Sequence, residues 1–293
     1  MLKRNELLSI YGELIKTKQT ILLLYTAIFA YFITAAELHI FNWWDLIFMI
    51  LSLFLAVSGT TALNMYIDRD IDAIMERTKN RPLPSGKISP STVLINGLVL
   101  TILGILIAFL TLNWLTALII FFGFFFDVVI YSIWLKRRTK FSIIFGGIAG
   151  GLPAMAGRVA LFGRLDDVGM YFLLFILTWI PVHILTLALI PKNYNGYKEA
   201  KIPMWPVVSS KKQTMRVIAF GALLSSATLY RTAHVLGARA FIRIIIGVCD
   251  LLLLSLVIKN LSKPTNKTTF TIFKFASLFM IIGFLLLYLG VIF

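Results

Sequence analysis

Charge is scarce in this chain. Only 14% of its 293 residues are Asp, Glu, Lys or Arg, where a soluble domain carries roughly a quarter. That excludes a water-soluble globular enzyme and a disordered chain, since both need far more polar side chains than this. Cysteine is nearly absent: Cys249 stands alone, which excludes an internal disulfide framework and a thiolate metal cage. The start of the chain has no short apolar core ending in a small-residue cleavage site and is not rich in Arg and Ser, so neither a signal nor a transit peptide is expected.

What the chain has instead is apolar length. Hydrophobic residues make up 59%, and a bilayer core of ~30 Å needs ~20 mainly apolar helical residues to cross it. Nine stretches qualify, at 20–38, 44–63, 92–112, 114–135, 141–162, 170–190, 217–236, 241–258 and 270–293. Lipid-exposed irregular backbone is not tolerated, so the expectation is an all-α integral membrane protein. The chain reads as one polytopic domain over 1–293, a nine-helix transmembrane bundle.

The formal charge of +15 fits that frame. A nucleic-acid binder would line a soluble face with its basic residues. Here they fall in short gaps between apolar runs: Lys3, Arg4, Lys16 and Lys18; Arg69 to Lys87; Lys136 to Lys140; Lys192 to Arg216; and Lys259 to Lys274. Basic residues mark the cytoplasmic side. The N-terminus is therefore expected inside, the C-terminus outside, and no nucleic-acid partner is implied. Two cytoplasmic loops are long, 65–91 and 191–215, and long ordered loops more often carry function.

The first long loop opens with a spacing that carries chemistry. Asn64, Asp68 and Asp72 recur every four residues, so a continuing helix places them in one stripe, while Asp70 points elsewhere. Like charges four apart repel, and a divalent cation reverses that. An amide oxygen and two carboxylates are hard ligands suited to Mg²⁺, which usually completes its shell with water and phosphate oxygens. Arg77, Lys79 and Arg81 follow at once. An acidic stripe beside a basic cluster points to a diphosphate bridged by magnesium and clamped by Arg and Lys; the plain alternative is a solvated helix end with a loop facing lipid headgroups. The segment from Tyr131 to Thr139, with Lys136 and Arg137, reads as a topology anchor or as a second phosphate clamp.

These residues resemble the UbiA-type intramembrane prenyltransferases. The run Asn64-x3-Asp68-x3-Asp72, then Arg77-Thr-Lys-Asn-Arg81-Pro-Leu-Pro-Ser-Gly86, resembles their first aspartate-rich motif, closest to the branch that farnesylates protoheme IX to heme O. Tyr131 to Thr139, Gly146 to Pro153 with Gly157, Tyr197 to Pro206, and Lys16 to Thr20 resemble further segments of that branch in the same order. The resemblance implies a nine-helix fold with a central cavity opening toward the cytoplasm. It also implies a Mg²⁺-assisted transfer of a farnesyl or longer prenyl group from its diphosphate to a vinyl group of protoheme IX, in the cell membrane. Asn64, Asp68 and Asp72 become the catalytic set, and Lys16, Arg77, Lys79, Arg81, Lys136 and Arg137 the diphosphate ligands. His183, Tyr131 and Tyr197 become acceptor contacts. Proteins that handle heme or assemble terminal oxidases become candidate partners.

The chain departs from the pattern in places. Gly196 stands where the second motif has an aspartate, and Lys201 where a glycine or small polar residue is expected; Asn193, Asn195 and Glu199 are then the nearby oxygens for a second magnesium. Ile184 and Leu185 replace an aromatic pair after His183, and Arg158 stands in place of a tryptophan. These positions bear on the acceptor, so an aromatic or lipid acceptor remains the alternative, with a secondary transporter behind it. His183 reads equally as an interhelical hydrogen bond or a heme contact. Asp127 and Asp250 are carboxylates inside spans, which are expensive and face the bundle interior or a partner; Arg231 and Arg243 are the candidates for Asp250. Gly146, Gly147, Gly150 and Gly151 read first as close helix packing, or else as room for a prenyl chain or a flat macrocycle.

Overall fold

The structure, a computed structural model, describes residues 4–293, with side chains described from residue 9 onward; Lys3 and the side chain of Arg4, both counted toward the cytoplasmic N-terminus, lie outside these. Helices follow one another in the order α1 (Arg4–Leu14), α2 (Thr17–Leu38), α3 (Trp43–Ile67), α4 (Arg69–Ile74), α5 (Pro90–Thr111) and α6 (Trp114–Phe124). Helix α6 runs on without a break into a π-helical segment, Phe125–Leu135. Then come α7 (Ser142–Phe162), α8 (Asp167–Ala188), α9 (Pro191–Glu199), α10 (Trp205–Val208), α11 (Lys211–Val235), α12 (Ala240–Ser262) and α13 (Asn266–Ile292). Every element among the described residues is helical.

Eight helices are long and apolar enough to cross a membrane. The expected seventh span is helical too, as the 25 residues of α11, but it is not among those eight: Arg216, Ser225, Ser226, Thr228, Arg231 and Thr232 dilute it. Helix ends follow local chemistry. Asn42, Ser89, Asn113 and Asp166 accept from the exposed amides at the starts of α3, α5, α6 and α8, and Ser210 with Gln213 forms a reciprocal box at α11. Each supplies partners for N–H groups that have none within the helix.

Small residues set the helix spacing. A Cβ on Gly104 of α5 would lie 2.5 Å from the Ser52 carbonyl oxygen of α3. A Cβ on Gly151 would lie 2.7 Å from the Leu173 carbonyl oxygen, and those on Gly147 and Gly150 would strike Leu177 and Ile180, so three of the four glycines between 146 and 151 serve packing against α8. Gly146 instead faces the Tyr131 ring.

Arg158 corrects its expected place near the acceptor. It is 1% exposed and bonds Glu37 at the end of α2 and Asp166 at the start of α8, the latter at 2.5 Å. A buried guanidinium persists only with such partners, and these lie at the bundle end opposite Asn64. Among the described residues Asp250 is not paired with arginine. Arg243 meets His234 Nδ1 at 3.0 Å and Arg231 reaches the Tyr171 hydroxyl; Arg243 sits seven residues before Asp250 on the same helix, about 10 Å away along its axis.

Candidate active site

At the end of the bundle where α3 gives way to α4, the polar groups converge. Asp68 terminates α3, yet its N–H still bonds the Asn64 carbonyl at 2.9 Å and the Asp72 N–H bonds the Asp68 carbonyl at 2.8 Å. The i to i−4 ladder thus passes through the junction, and Asn64, Asp68 and Asp72 stay on one face. All three are buried, at 6%, 7% and 5% exposure. Asp70 points outward and bonds the exposed Arg137 in a two-pronged contact of 2.7 and 2.6 Å. That pairing holds the Asp70 carboxyl below its ordinary range.

Cations close over the buried acids. Arg81 Nη1 lies 2.6 Å from Asp72 Oδ2, and Lys136 pairs with Asp68. Burial opposes the charge on Lys136, but Tyr131 and Asp68 outweigh it and leave its pKa raised. Arg81 is brought in by its loop: Thr78 is buried and its hydroxyl donates to the Asp72 carbonyl at 3.0 Å, while Leu83 packs with Leu14, Ala62, Met65 and Val93. The same cluster docks α1 and delivers Lys16, which adopts a left-handed conformation at φ 46° between α1 and α2. Burial, then Arg81 and Lys136, lower the Lys16 pKa to about 8, with Asp127 and Asp68 acting the other way.

Sequence reasoning missed the part that span four plays. A π-helix bonds each N–H to the carbonyl five residues back, as Lys136 N–H does with Tyr131 at 2.8 Å. Roughly 4.4 residues then make a turn, so Asp127, Tyr131 or Ser132, and Lys136 fall on one face. In an α-helix Asp127 and Lys136 would be roughly 180° apart. With the π geometry, Asn64 Nδ2 donates to Asp127 Oδ2 at 2.6 Å and the Ser132 hydroxyl donates to Asn64 Oδ1 at 2.8 Å. The available signal was Asp127 itself, an acid within an apolar span.

Several expected site residues fall elsewhere. Arg77 and Lys79 are exposed, and Lys79 pairs with Glu76 at 2.6 Å on the solvent side, because burial of Thr78 turns its two neighbours outward. Arg137 is committed to Asp70. Asn195 is exposed, and the buried Asn193 donates to the Leu187 carbonyl at 2.9 Å, tied to its own helix end. A Cβ on Gly196 would meet Met75 of α4 at 3.1 Å. Lys201 has φ 53°, the left-handed conformation that favours the glycine expected there. His183 lies between α8 and α13, stacked with Trp179 and Phe273 at 4.6 and 4.8 Å, with Nδ1 3.2 Å from the Ser277 hydroxyl. Those are contacts between the two helices. Tyr131 and Tyr197 flank Lys136.

The donor set suits magnesium. Asp68 Oδ1 is buried without a hydrogen-bond partner, two carboxylates and an amide oxygen are hard ligands, and Mg²⁺ usually takes only one or two protein carboxylates. No group of three His, Cys, Asp or Glu side chains placed to hold a metal occurs among the described residues. The oxygen-poor set therefore fits a cation that shares its shell with a bound phosphate.

The fold is that of an all-helical membrane bundle with acids and cations facing each other at one end. The chain belongs to the UbiA prenyltransferase family, whose pattern matches residues 23–290. It is 41% identical over 232 residues to the protoheme IX farnesyltransferase of Hyperthermus butylicus, covering 77% of this chain and 73% of that one. It is 40% identical over 222 residues to that of Archaeoglobus fulgidus, covering 74% and 76%. Among solved structures, a digeranylgeranylglyceryl phosphate synthase shares the fold with TM-score 0.81, 22% identity and coverage of 98% and 99%. A UbiA homologue from Archaeoglobus fulgidus bound to GPP and Mg²⁺ does so with TM-score 0.70, 15% identity and coverage of 95% and 99%.

Proposed function

We propose that this chain moves a farnesyl or longer polyprenyl group from its diphosphate to a vinyl carbon of protoheme IX, giving heme O, at the cytoplasmic face of the cell membrane. The single domain 1–293 would have its N-terminus inside. The observation that carries the reading is the convergence of Asn64, Asp68 and Asp72 with Lys16, Arg81 and Lys136 at one end of the bundle. The names of the relatives at about 40% identity support protoheme IX as the acceptor.

Asn64, Asp68 and Asp72 would hold the magnesium, which when bound would supply positive charge against the diphosphate. Arg81 and Lys136 exchange their carboxylate contacts for phosphate oxygens, Arg81 with its planar fork. Lys16 lies beside both, so three cations share one small volume and an anion between them relieves their repulsion. Tyr131 and Tyr197 border the same space and face the acceptor. The surrounding apolar helices keep water from the allylic cation until a carbon nucleophile captures it.

The deciding experiment is mass spectrometry of heme from cells with and without this chain. A heme carrying a hydroxyalkyl-prenyl side chain only in its presence is the expected result. Unmodified heme beside a newly prenylated aromatic acid or glycerol-phosphate lipid would transfer the reading to that acceptor.

Lys16 gives the site a pH dependence. With a pKa near 8, it is charged below that pH and neutral above it. The Kd of an unreactive farnesyl diphosphate analogue should therefore rise by up to about tenfold per pH unit above pH 8. Lys16→Arg keeps its charge and should flatten the rise, as calorimetry between pH 7 and 9 would register; an unchanged slope would remove Lys16 from the phosphate site.

A further inference from the structure

We propose that Asp127 is a positioning residue that fixes which face of the Asn64 amide meets the metal. The inference rests on the reading of Asn64 as an oxygen ligand and adds a residue of this chain to that site. A side-chain amide presents an NH₂ on one side and an oxygen on the other, and the two are nearly the same shape. Nothing in the helix α3 backbone selects between the two orientations. An ionised carboxylate accepts hydrogen bonds and donates none. Asp127 Oδ2 lies 2.6 Å from Asn64 Nδ2, so the amide must turn its NH₂ toward Asp127.

The amide oxygen is thereby committed to the opposite side. There it accepts from the Ser132 hydroxyl at 2.8 Å, and a carbonyl oxygen keeps a second lone pair for a cation. A serine hydroxyl both donates and accepts, so Ser132 alone leaves the choice open. The π-helical segment Phe125–Leu135 is what lets one stretch of chain supply Asp127, Ser132 and Lys136 to the same cluster. Lys16 faces Asp127 from the α1–α2 junction, which makes a counter-ion role the competing account of this carboxylate.

The test uses the full chain in detergent or lipid nanodiscs, with Mn²⁺ as a paramagnetic probe and thermal unfolding as a check of the fold. Partners that orient metal ligands typically change affinity 10–100-fold when removed. Asp127→Asn, whose amide both donates and accepts, should weaken Mn²⁺ binding at least about tenfold on that scale. The exchange Asn64→Asp with Asp127→Asn should restore binding to within about threefold, because a carboxylate at 64 has two equivalent oxygens and the amide at 127 then donates to it. Lys16→Met with Asp127→Asn should not restore binding. The exchange variant keeps an amide facing a carboxylate and serves alone if Asp127→Asn unfolds.

Wild-type affinity in Asp127→Asn, failure of the exchange to bind Mn²⁺, or rescue by Lys16→Met would each overturn the proposal, the last in favour of a counter-ion. If the wild-type chain takes up no Mn²⁺, with or without a prenyl diphosphate analogue, the metal reading of Asn64 itself fails.

Discussion

Replacing Asp72 with asparagine should lower Mg²⁺-dependent release of diphosphate by a factor of about 10²–10³, the range seen when one preorganised electrostatic group is lost from an active site. The substitution keeps size and shape. Arg81, its partner, retains 24% side-chain exposure and is left near solvent, so the fold should survive. Asp68→Asn should cost as much activity and more stability. Lys136 is more enclosed, at 15% exposure, and a buried charge stripped of its partner costs about 3–5 kcal/mol. Turnover and thermal unfolding measured together separate the two effects. Asp70→Asn is the control, because Asp70 faces outward against Arg137. Equal activity in Asp70→Asn and Asp72→Asn would mean the buried stripe has no part in the chemistry.

The acidic stripe was legible because its argument needed only a helical repeat, and the repeat survives a break. Helix α3 stops at Ile67 and α4 starts at Arg69, but the hydrogen bonds on either side of Asp68 keep the register. The spans were legible for a similar reason: apolar length does not depend on how helices pack. Span four shows where this reasoning ended. Hydropathy is the same whether residues 125–135 wind as α or π, but the faces differ, so Asp127 and Ser132 could not be joined to Asn64 from spacing alone. The positions His183 and Arg158 were uncertain because a polar residue in a span has two outlets, a ligand or another helix. Ser277 on α13 and Glu37 on α2 took them, and both are distant in sequence.

The basic cluster after the stripe gives the second large prediction, because sequence treats Arg77, Lys79 and Arg81 alike and the structure does not. Thr78, Pro82 and Leu83 are buried points of this loop, and they fix its path. Arg81 falls between them and turns inward to Asp72, while Arg77 and Lys79 flank Thr78 and turn out. Arg81→Ala should therefore raise the KM for prenyl diphosphate by about 10²-fold, in keeping with about 2–3 kcal/mol for charge-assisted hydrogen bonds. The KM for the acceptor should change little. Arg81→Lys should recover only part of the loss, since a point charge lacks the fork that grips two oxygens. Arg77→Ala and Lys79→Ala should shift either KM less than about twofold, as expected of exposed charges screened by salt. Steady-state kinetics on the four variants, with each substrate varied in turn, reads this division directly. If Arg77→Ala or Lys79→Ala matched Arg81→Ala, the loop would have to reorganise around the diphosphate, and the inward turn of Arg81 would not define the phosphate clamp.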